Sequence, residues 1–350
     1  MAQGNPEKER LYGRLNSIDS ELSQAAKAVE NAETGTNSVS ASVGTLAARL
    51  AGVRGQGYVA LGHLDKTVDL LSKKWAEIGP SVQRSVAQEL QPIAAQVRGL
   101  QSETSSLRRE IDGGNLGAAE GLANRLSGDA ASIRSRAVSE SERVTAPLRE
   151  LSTGVVAVER DLKVAESSMA LFGQAHFPMQ QGESPVLAVE GKLMEGEKAH
   201  GTIYLTNHRF IFEGLKEVDL EKHLFIVTKK RIDRVVMIEQ PVGAVQEITK
   251  GRVGLLAGTG VFVQFRPEVR LPVTPIDVQR LEADVIARFH RYVIGGEADR
   301  DIATARGGAP PTPTIQMLRC SVCGAPHSGE IMQGQASVSC EYCGTSMAIR

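Results

Sequence analysis

The chain has 350 residues, with 40 Lys and Arg against 41 Asp and Glu and a formal net charge of −1. That balance excludes a global electrostatic attraction to nucleic acid or to an anionic membrane, and the length suffices for two or three domains. Aromatic residues make up only 4%, low for one large globular core and in keeping with a long helical region.

The first region, residues 6–172, reads as all-α. Apolar residues step by four and three through Leu11, Leu15, Ile18, Leu22, Ala25, Val29, Ala32, a lapse at Thr36, then Val39, Val43, Leu46, Leu50 and Val53. This heptad pattern places one stripe on one helix face. It returns from Leu64 to Val82, slips as at a stutter through Val86 and Leu90, and resumes from Ile93 to Ile111. A third run extends from Val144 to Phe172. Gly79-Pro80 is expected to end one helix and start the next, Pro92 and Pro147 to kink or restart helices, and Gly113-Gly114-Asn115 to turn the chain. The expected architecture is three long antiparallel arms with the middle one interrupted. An unbroken arm of ~50 residues would be roughly 75 Å long. The stripe suits either an intramolecular bundle or a homo-oligomeric, partner-binding coiled coil, since heptads alone fit both. The polar faces mix signs, which argues against a helix lying on a membrane.

Periodicity changes near Glu183, after a segment containing Gly173, Pro178 and Gly182. Residues 183–294 alternate as strands do, at Thr202–Leu205, Arg209–Phe212, Leu224–Val227, Arg234–Ile238, Val253–Leu256 and Val261–Phe265. A helical pattern from Pro275 to Ile294 follows, with Val278, Leu281, Val285, Phe289 and Tyr292 as its apolar stripe. Strands followed by one amphipathic helix predict a small β-barrel or bent sandwich capped by that helix.

The run Gly201-Thr202-Ile203-Tyr204-Leu205-Thr206-Asn207-His208-Arg209-Phe210-Ile211-Phe212 resembles the hairpin of GRAM and related pleckstrin-homology-like (PH-like) domains. The resemblance covers roughly 183–294. It implies a PH-like fold with a C-terminal capping helix, binding of membrane phospholipids or protein segments, and no catalysis. The most basic stretch, Lys229, Lys230 and Arg231 with Arg234, and with Lys222 and His223 near it, is the candidate lipid or anion site. The alternative is a solvated loop diluted by Glu217, Asp219, Glu221 and Asp233. Gly251 to Gly260 lacks the terminal Gly-Lys-Ser/Thr of a phosphate loop and reads as a hairpin with close backbone approaches.

Residues 295–317 read as a flexible linker, Pro-rich over Pro310-Pro311-Thr312-Pro313. All four cysteines follow, as Cys320-Ser321-Val322-Cys323 and Cys340-Glu341-Tyr342-Cys343, each pair trailed by a glycine. Two C-x-x-C pairs predict one tetrahedral four-thiolate site holding a single structural Zn2+. His327 lies between them as a competing ligand that the second pair makes unnecessary. Residues 318–350 resemble a zinc ribbon, and such thiols favour a reducing compartment. Two arginines, two glutamates and one tyrosine between Arg319 and Arg350 leave no footprint for nucleic acid, so a protein contact is expected there.

No nucleophile–base pair, paired-acid site or second metal cluster emerges; His63, His176 and His290 stand alone in the sequence. Met1 to Arg14 is too polar for a secretory signal. Val253 to Phe265 is too short and glycine-rich to span a bilayer. The parts resemble those of trafficking and membrane-remodelling adaptors, components of the ESCRT machinery among them. The expectation is therefore a multidomain, non-enzymatic cytoplasmic adaptor, peripheral to a membrane where anionic lipid is bound. Its partners would be proteins, with homo-oligomers forming through the helices. The rival reading is a nucleic-acid-associated, transcription-related zinc-ribbon protein.

Overall fold

The computed structural model describes residues 5–223, 226–253, 258–303, 318, 320–322, 327, 331–340 and 343–349, and the side chains of all these except 217–223 and 226–231. The described chain divides into two compact units. One comprises residues 1–47 and 67–159, the other 48–66 and 160–350.

The first unit is helical. It draws on α1 (Pro6–Gly55), α2 (His63–Ser85), α3 (Gln91–Asp112), α4 (Leu116–Thr145) and α5 (Leu148–Phe172). Cross-helix contacts give the directions. Arg14 meets Glu120 at 2.8 Å and Arg134 meets Glu21 at 2.6 Å, so α1 and α4 run parallel. Gln91 bonds Glu33 while Arg108 reaches Asp19, so α3 runs against α1. Arg125 pairs with Glu103 and Arg143 with Glu89, fixing α4 antiparallel to α3 and to the turn preceding it. Exposed pairs of this kind contribute little energy; the burial holds the bundle. Leu11, Leu15, Leu22, Ala25 and Leu46 are wholly buried by the chain's own helices. The lapse at Thr36 is buried too, its hydroxyl donating to the Ala32 carbonyl at 2.8 Å.

The slip in the heptads is a π-helical turn, Val86–Leu90, in which the Gln91 N–H bonds the Val86 carbonyl five residues back. Pro92 explains it: a proline lacks the N–H and its ring collides with the carbonyl of the previous turn. The expected break at Gly79-Pro80 does not occur, because α2 continues through Pro80. Gly79 instead seats Trp75, since a Cβ there would lie 2.7 Å from the indole. Gly113-Gly114-Asn115 is the α3–α4 turn, with Gly114 at φ +79. The seam of α4 is built of small residues, Ala119, Ala123, Ala130 and Ala137 with Leu126 and Ile133.

The second unit is built on one antiparallel seven-stranded sheet in the order β4-β3-β2-β1-β7-β6-β5. The strands are β1 (Pro185–Leu193), β2 (His200–Thr206), β3 (Arg209–His223), β4 (Ile226–Pro241), β5 (Val245–Val253), β6 (Gly258–Phe265) and β7 (Thr274–Asp277). The strand order is open, with β4 and β5 at its edges, so the expected small barrel is not closed. Of the expected strand Leu224–Val227, Ile226 and Val227 begin β4, which pairs along β3, and Leu224 and Phe225 lie outside the described residues. The helix expected from Pro275 begins at Arg280 as α6 (Arg280–Ile294), because residues 274–277 pair with β6 and β1. Its buried stripe is Ala283, Ile286, Phe289, His290 and Val293, whereas Leu281 is 80% exposed. Residues 295–303 are ordered around α7 (Glu297–Arg300), ahead of the rest of the expected linker.

Two helix ends belong to this unit. β1 pairs with β7 only at Lys192 and Leu193, which leaves its earlier edge to other partners. Tyr58 donates its hydroxyl to the Val186 carbonyl at 3.0 Å, and the Ala188 N–H donates to Ser168 Oγ at 3.0 Å. Both Tyr58 and Ser168 are fully buried. Helix α5 and the loop after α1 therefore cap a sheet edge whose bare backbone would otherwise be an aggregation template. Arg54 organises that loop by donating to the carbonyls of Tyr58, Ala60 and Leu61 at 2.7, 2.8 and 2.9 Å. Asp301 then caps α2 across the sequence, accepting the His63 N–H at 2.6 Å.

Candidate functional site

The β2–β3 turn concentrates buried polar groups. The register pairs Leu205 with Phe210, Tyr204 with Ile211 and Ile203 with Phe212, burying all six side chains. At the turn, Thr206 Oγ1 accepts the Arg209 N–H at 2.7 Å and donates to Glu183 Oε1 at 2.6 Å. Arg209 is 5% exposed and donates to both Glu183 oxygens, at 2.8 and 2.5 Å, to the Pro178 carbonyl at 2.8 Å and to Glu239. Asn207 Oδ1 accepts the Ser184 N–H at 2.8 Å. Burial alone would raise the Glu183 pKa. The Arg209 donors, the Gln180 N–H and the Thr206 hydroxyl outweigh burial and hold it below the ordinary carboxylate value. The motif is thus a knot that fastens residues 178–184 to the hairpin.

Lys229, Lys230 and Arg231 lie on the backbone of β4 rather than in a loop, in register with Glu221, Asp219 and Val218. Their side chains, like those of Lys222 and His223, lie outside the described residues. Arg234 is committed elsewhere. It donates to Gln174 Oε1 at 3.1 Å and lies 3.6 Å from the wholly buried Glu213 carboxylate. In the 251–260 stretch, Gly251, Arg252 and Val253 of β5 pair with Gly260, Thr259 and Gly258 of β6. A Cβ on Gly251 would meet the Phe262 ring at 2.5 Å, and residues 254–257 lie outside the described residues. His290 is a core group: its Nε2 donates to the Val245 carbonyl at 3.2 Å, and burial lowers its pKa.

The cysteines converge. Strands β8 (Ser337–Ser339) and β9 (Ser346–Ala348) form a small antiparallel hairpin around the second pair. Between them the Gly344 N–H bonds the Cys340 carbonyl at 2.9 Å, and Gly344 takes φ +73, a conformation that suits glycine. The Sγ atoms of Cys320, Cys340 and Cys343 lie within 4.8 Å of one another. Cys320 and Cys343 are 3.5 Å apart, well beyond the ~2.0 Å of a disulfide. Cys320 and Cys340 pack with Val338 and Met347 in a miniature core. Cys323 lies outside the described residues. His327 is outside this sulfur group; its ring nitrogens are buried and without hydrogen-bond partners among the described residues. Two buried sulfurs and a third converging on one point fit a soft divalent cation, and the described residues can bind a metal.

The described surface carries grooves in both units. In the helical unit, one of about 620 Å³ runs past Ala28, Gly35, Val138 and Thr145. In the sheet unit, one of about 520 Å³ is lined by Met169, Phe172, Phe177 and Met179. Another of about 570 Å³ lies between α5, β1 and α6, with Lys163, Leu187, Leu281 and Arg288 on its walls. Among the described residues no helix is long and apolar enough to cross a membrane.

Sequence reasoning missed Tyr58, Ser168, Arg54 and Asp301. Tyr58, an aromatic just past the glycines that end α1, was the one visible signal. The others sit in stretches that read as helix or linker.

The GRAM domain family matches residues 171–270. Over that segment, which takes in β1 to β6, the chain is similar to the GRAM class of domains. Solved structures similar to it include the following three. The Vps36 N-terminal PH domain is 12% identical, covering 34% of this chain and 86% of its own, with TM-score 0.22. The DH/PH domains of p115-RhoGEF are 10% identical, covering 79% and 98%, with TM-score 0.23. Autoinhibited Vav1 is 11% identical, covering 99% and 70%, with TM-score 0.25. At these TM-scores the likenesses carry no argument. No curated protein matches the chain.

Proposed function

We propose that this chain is a non-enzymatic adaptor of the trafficking or membrane-remodelling kind. Its GRAM-like segment docks on a membrane surface or a protein, its helical arms engage partners, and its cysteine module presents a further protein contact. The observation that carries this reading is the GRAM match over residues 171–270. The helical seam is filled by the chain's own residues, so partner binding or self-association falls to the outer, charged faces of the arms.

The cysteine module holds one structural Zn2+ through Cys320, Cys323, Cys340 and Cys343. The convergence of three of these sulfurs supports it. Four thiolates close the tetrahedral shell and leave no position for a reacting water. Zinc-loaded protein should carry one zinc per chain by elemental analysis, and Cys340→Ser should lose it. A Cys340→Ser protein with full zinc content would sink this assignment.

Attachment to a membrane is tested by co-sedimentation of the full chain with neutral and anionic vesicles at low and physiological salt. Lys229, Lys230 and Arg231 are the candidate headgroup contacts. A basic residue near an anionic surface contributes about 1 kcal/mol, so replacing all three with alanine should weaken binding on the order of a hundredfold. Unchanged binding would remove that site. No binding to any vesicle would make the GRAM-like segment a protein-recognition module.

A further inference from the structure

The end of the sheet at the β2–β3 turn is occupied. The segment Met332–Gln335, just ahead of β8, sits on it. The Gly243 N–H donates to the Gln333 carbonyl at 2.9 Å, and Gln333 Nε2 donates to Asp299 at 3.3 Å. Asp299 also accepts from Asn207 Nδ2 at 3.4 Å, so one carboxylate bridges both turns. The fit is close on each side. A Cβ on Gly243 would lie 2.6 Å from the Gln333 backbone nitrogen. A Cβ on Gly334, itself at φ +80, would collide with the His208 carbonyl.

The docked turn is preorganised and wired to the cysteines. The Gln335 N–H bonds the Met332 carbonyl at 3.0 Å, and Gln335 Oε1 accepts the Met332 N–H at 3.0 Å. Its amide nitrogen donates to the Ser337 carbonyl at 3.1 Å, on the first residue of β8. The Ile349 N–H donates to the Ala336 carbonyl at 2.9 Å, carrying the β8–β9 pairing up to the turn. Val338 and Met347, with Cys320 and Cys340, are the only buried residues of the module's described core cluster. A module this small draws most of its folding energy from its metal.

We infer that the Met332–Gln335 turn is a metal-dependent clasp, an intramolecular ligand whose grip on the Asn207–His208 and Val242–Gly243 end of the sheet rises and falls with occupancy of the cysteine site. The coupling rests on the zinc reading above; the clasp contact stands on the geometry. Linkage makes the effect reciprocal: whatever factor zinc adds to docking, docking adds to zinc affinity.

The test is hydrogen exchange on the full-length chain, zinc-loaded and after chelation, with exchange followed at the Gly243 amide and over residues 240–246. Chelation should speed exchange there. Gly334→Val should do the same with zinc present, and should weaken zinc retention against a colorimetric chelator by about tenfold. Because Gly334→Val could unfold the small module, Gly243→Ala supplies the second arm. The added methyl meets only Gln333 and Met332 within the three nearest contacts, so the sheet stays intact while the clasp is pushed off. Equal exchange at 240–246 in all of these states overturns the clasp. Zinc uptake with no change on chelation overturns the coupling alone. A chain that takes up no zinc overturns the zinc reading and the coupling together, while the two glycine variants still decide the contact.

Discussion

Arg209 and Glu183 show how a surface-looking motif becomes internal chemistry. The Glu183 side chain is fully buried and Arg209 nearly so, and each is the other's main compensation. Removing one member of such a pair leaves a buried charge unanswered, at about 3–5 kcal/mol. Arg209→Met should therefore lower the midpoint of urea unfolding of the full chain, and the unfolding free energy drawn from it by about that amount. An unchanged midpoint would mean that water already reaches Glu183. The pair also sets an acid limb. Glu183 titrates below its ordinary value when folded. Its contribution is thus fully present above the unfolded pKa of about 4.3 and is lost as pH falls through the folded one. Stability measured from pH 5 to 2 should fall less steeply in Glu183→Gln than in the parent. The Thr-Asn-x-Arg letters are plain in the sequence. Glu183 and Glu239, 26 and 30 residues from Arg209, are not, because nothing local marks which acids a buried guanidinium will meet.

At the level of elements, the least expected device is the capping of β1 by side chains of a helix and a loop. Ser168→Ala would leave the buried Ala188 N–H without its acceptor, a loss of about 1–3 kcal/mol. The change should appear in denaturant unfolding and as faster exchange at Ala188. If neither moves, water or a backbone shift replaces the hydroxyl. Helix boundaries followed local rules where those rules act alone. Gly114 takes the left-handed turn that a glycine pair advertises. The π turn before Pro92 is the physical form of a heptad slip. Pro80 defied the same rules: α2 runs through it, with Leu71 and Val82 on either side of it in sequence buried. The strand at 274–277 and the rotated stripe of α6 also escaped local reading. In both, pairing and burial against the sheet decide which residues face inward.

For the whole chain, the two compact units divide within α1, α2 and α5 rather than at the change of periodicity. The segment matched by the GRAM family therefore takes backbone partners from outside itself. A fragment of residues 173–303 lacks Tyr58 and Ser168, and with them the partners of Val186 and Ala188. It should be less soluble than the full chain and melt at lower temperature, with β1 amides exchanging freely. A fragment as stable as its parent would show that these caps are dispensable. The sequence by itself determined the helical seams, the hairpin that marks the GRAM-like segment and the gathering of cysteines near the end of the chain. Those signals are short-range: a heptad, an alternation and a C-x-x-C turn are each written within a few residues. Only the tertiary structure decided that the strand order stays open, that Tyr58, Ser168 and Asp301 finish elements far from them in sequence, and that the Met332–Gln335 turn rests on the hairpin. Such pairings satisfy buried backbone groups across tens to hundreds of residues, and no local pattern encodes the partner.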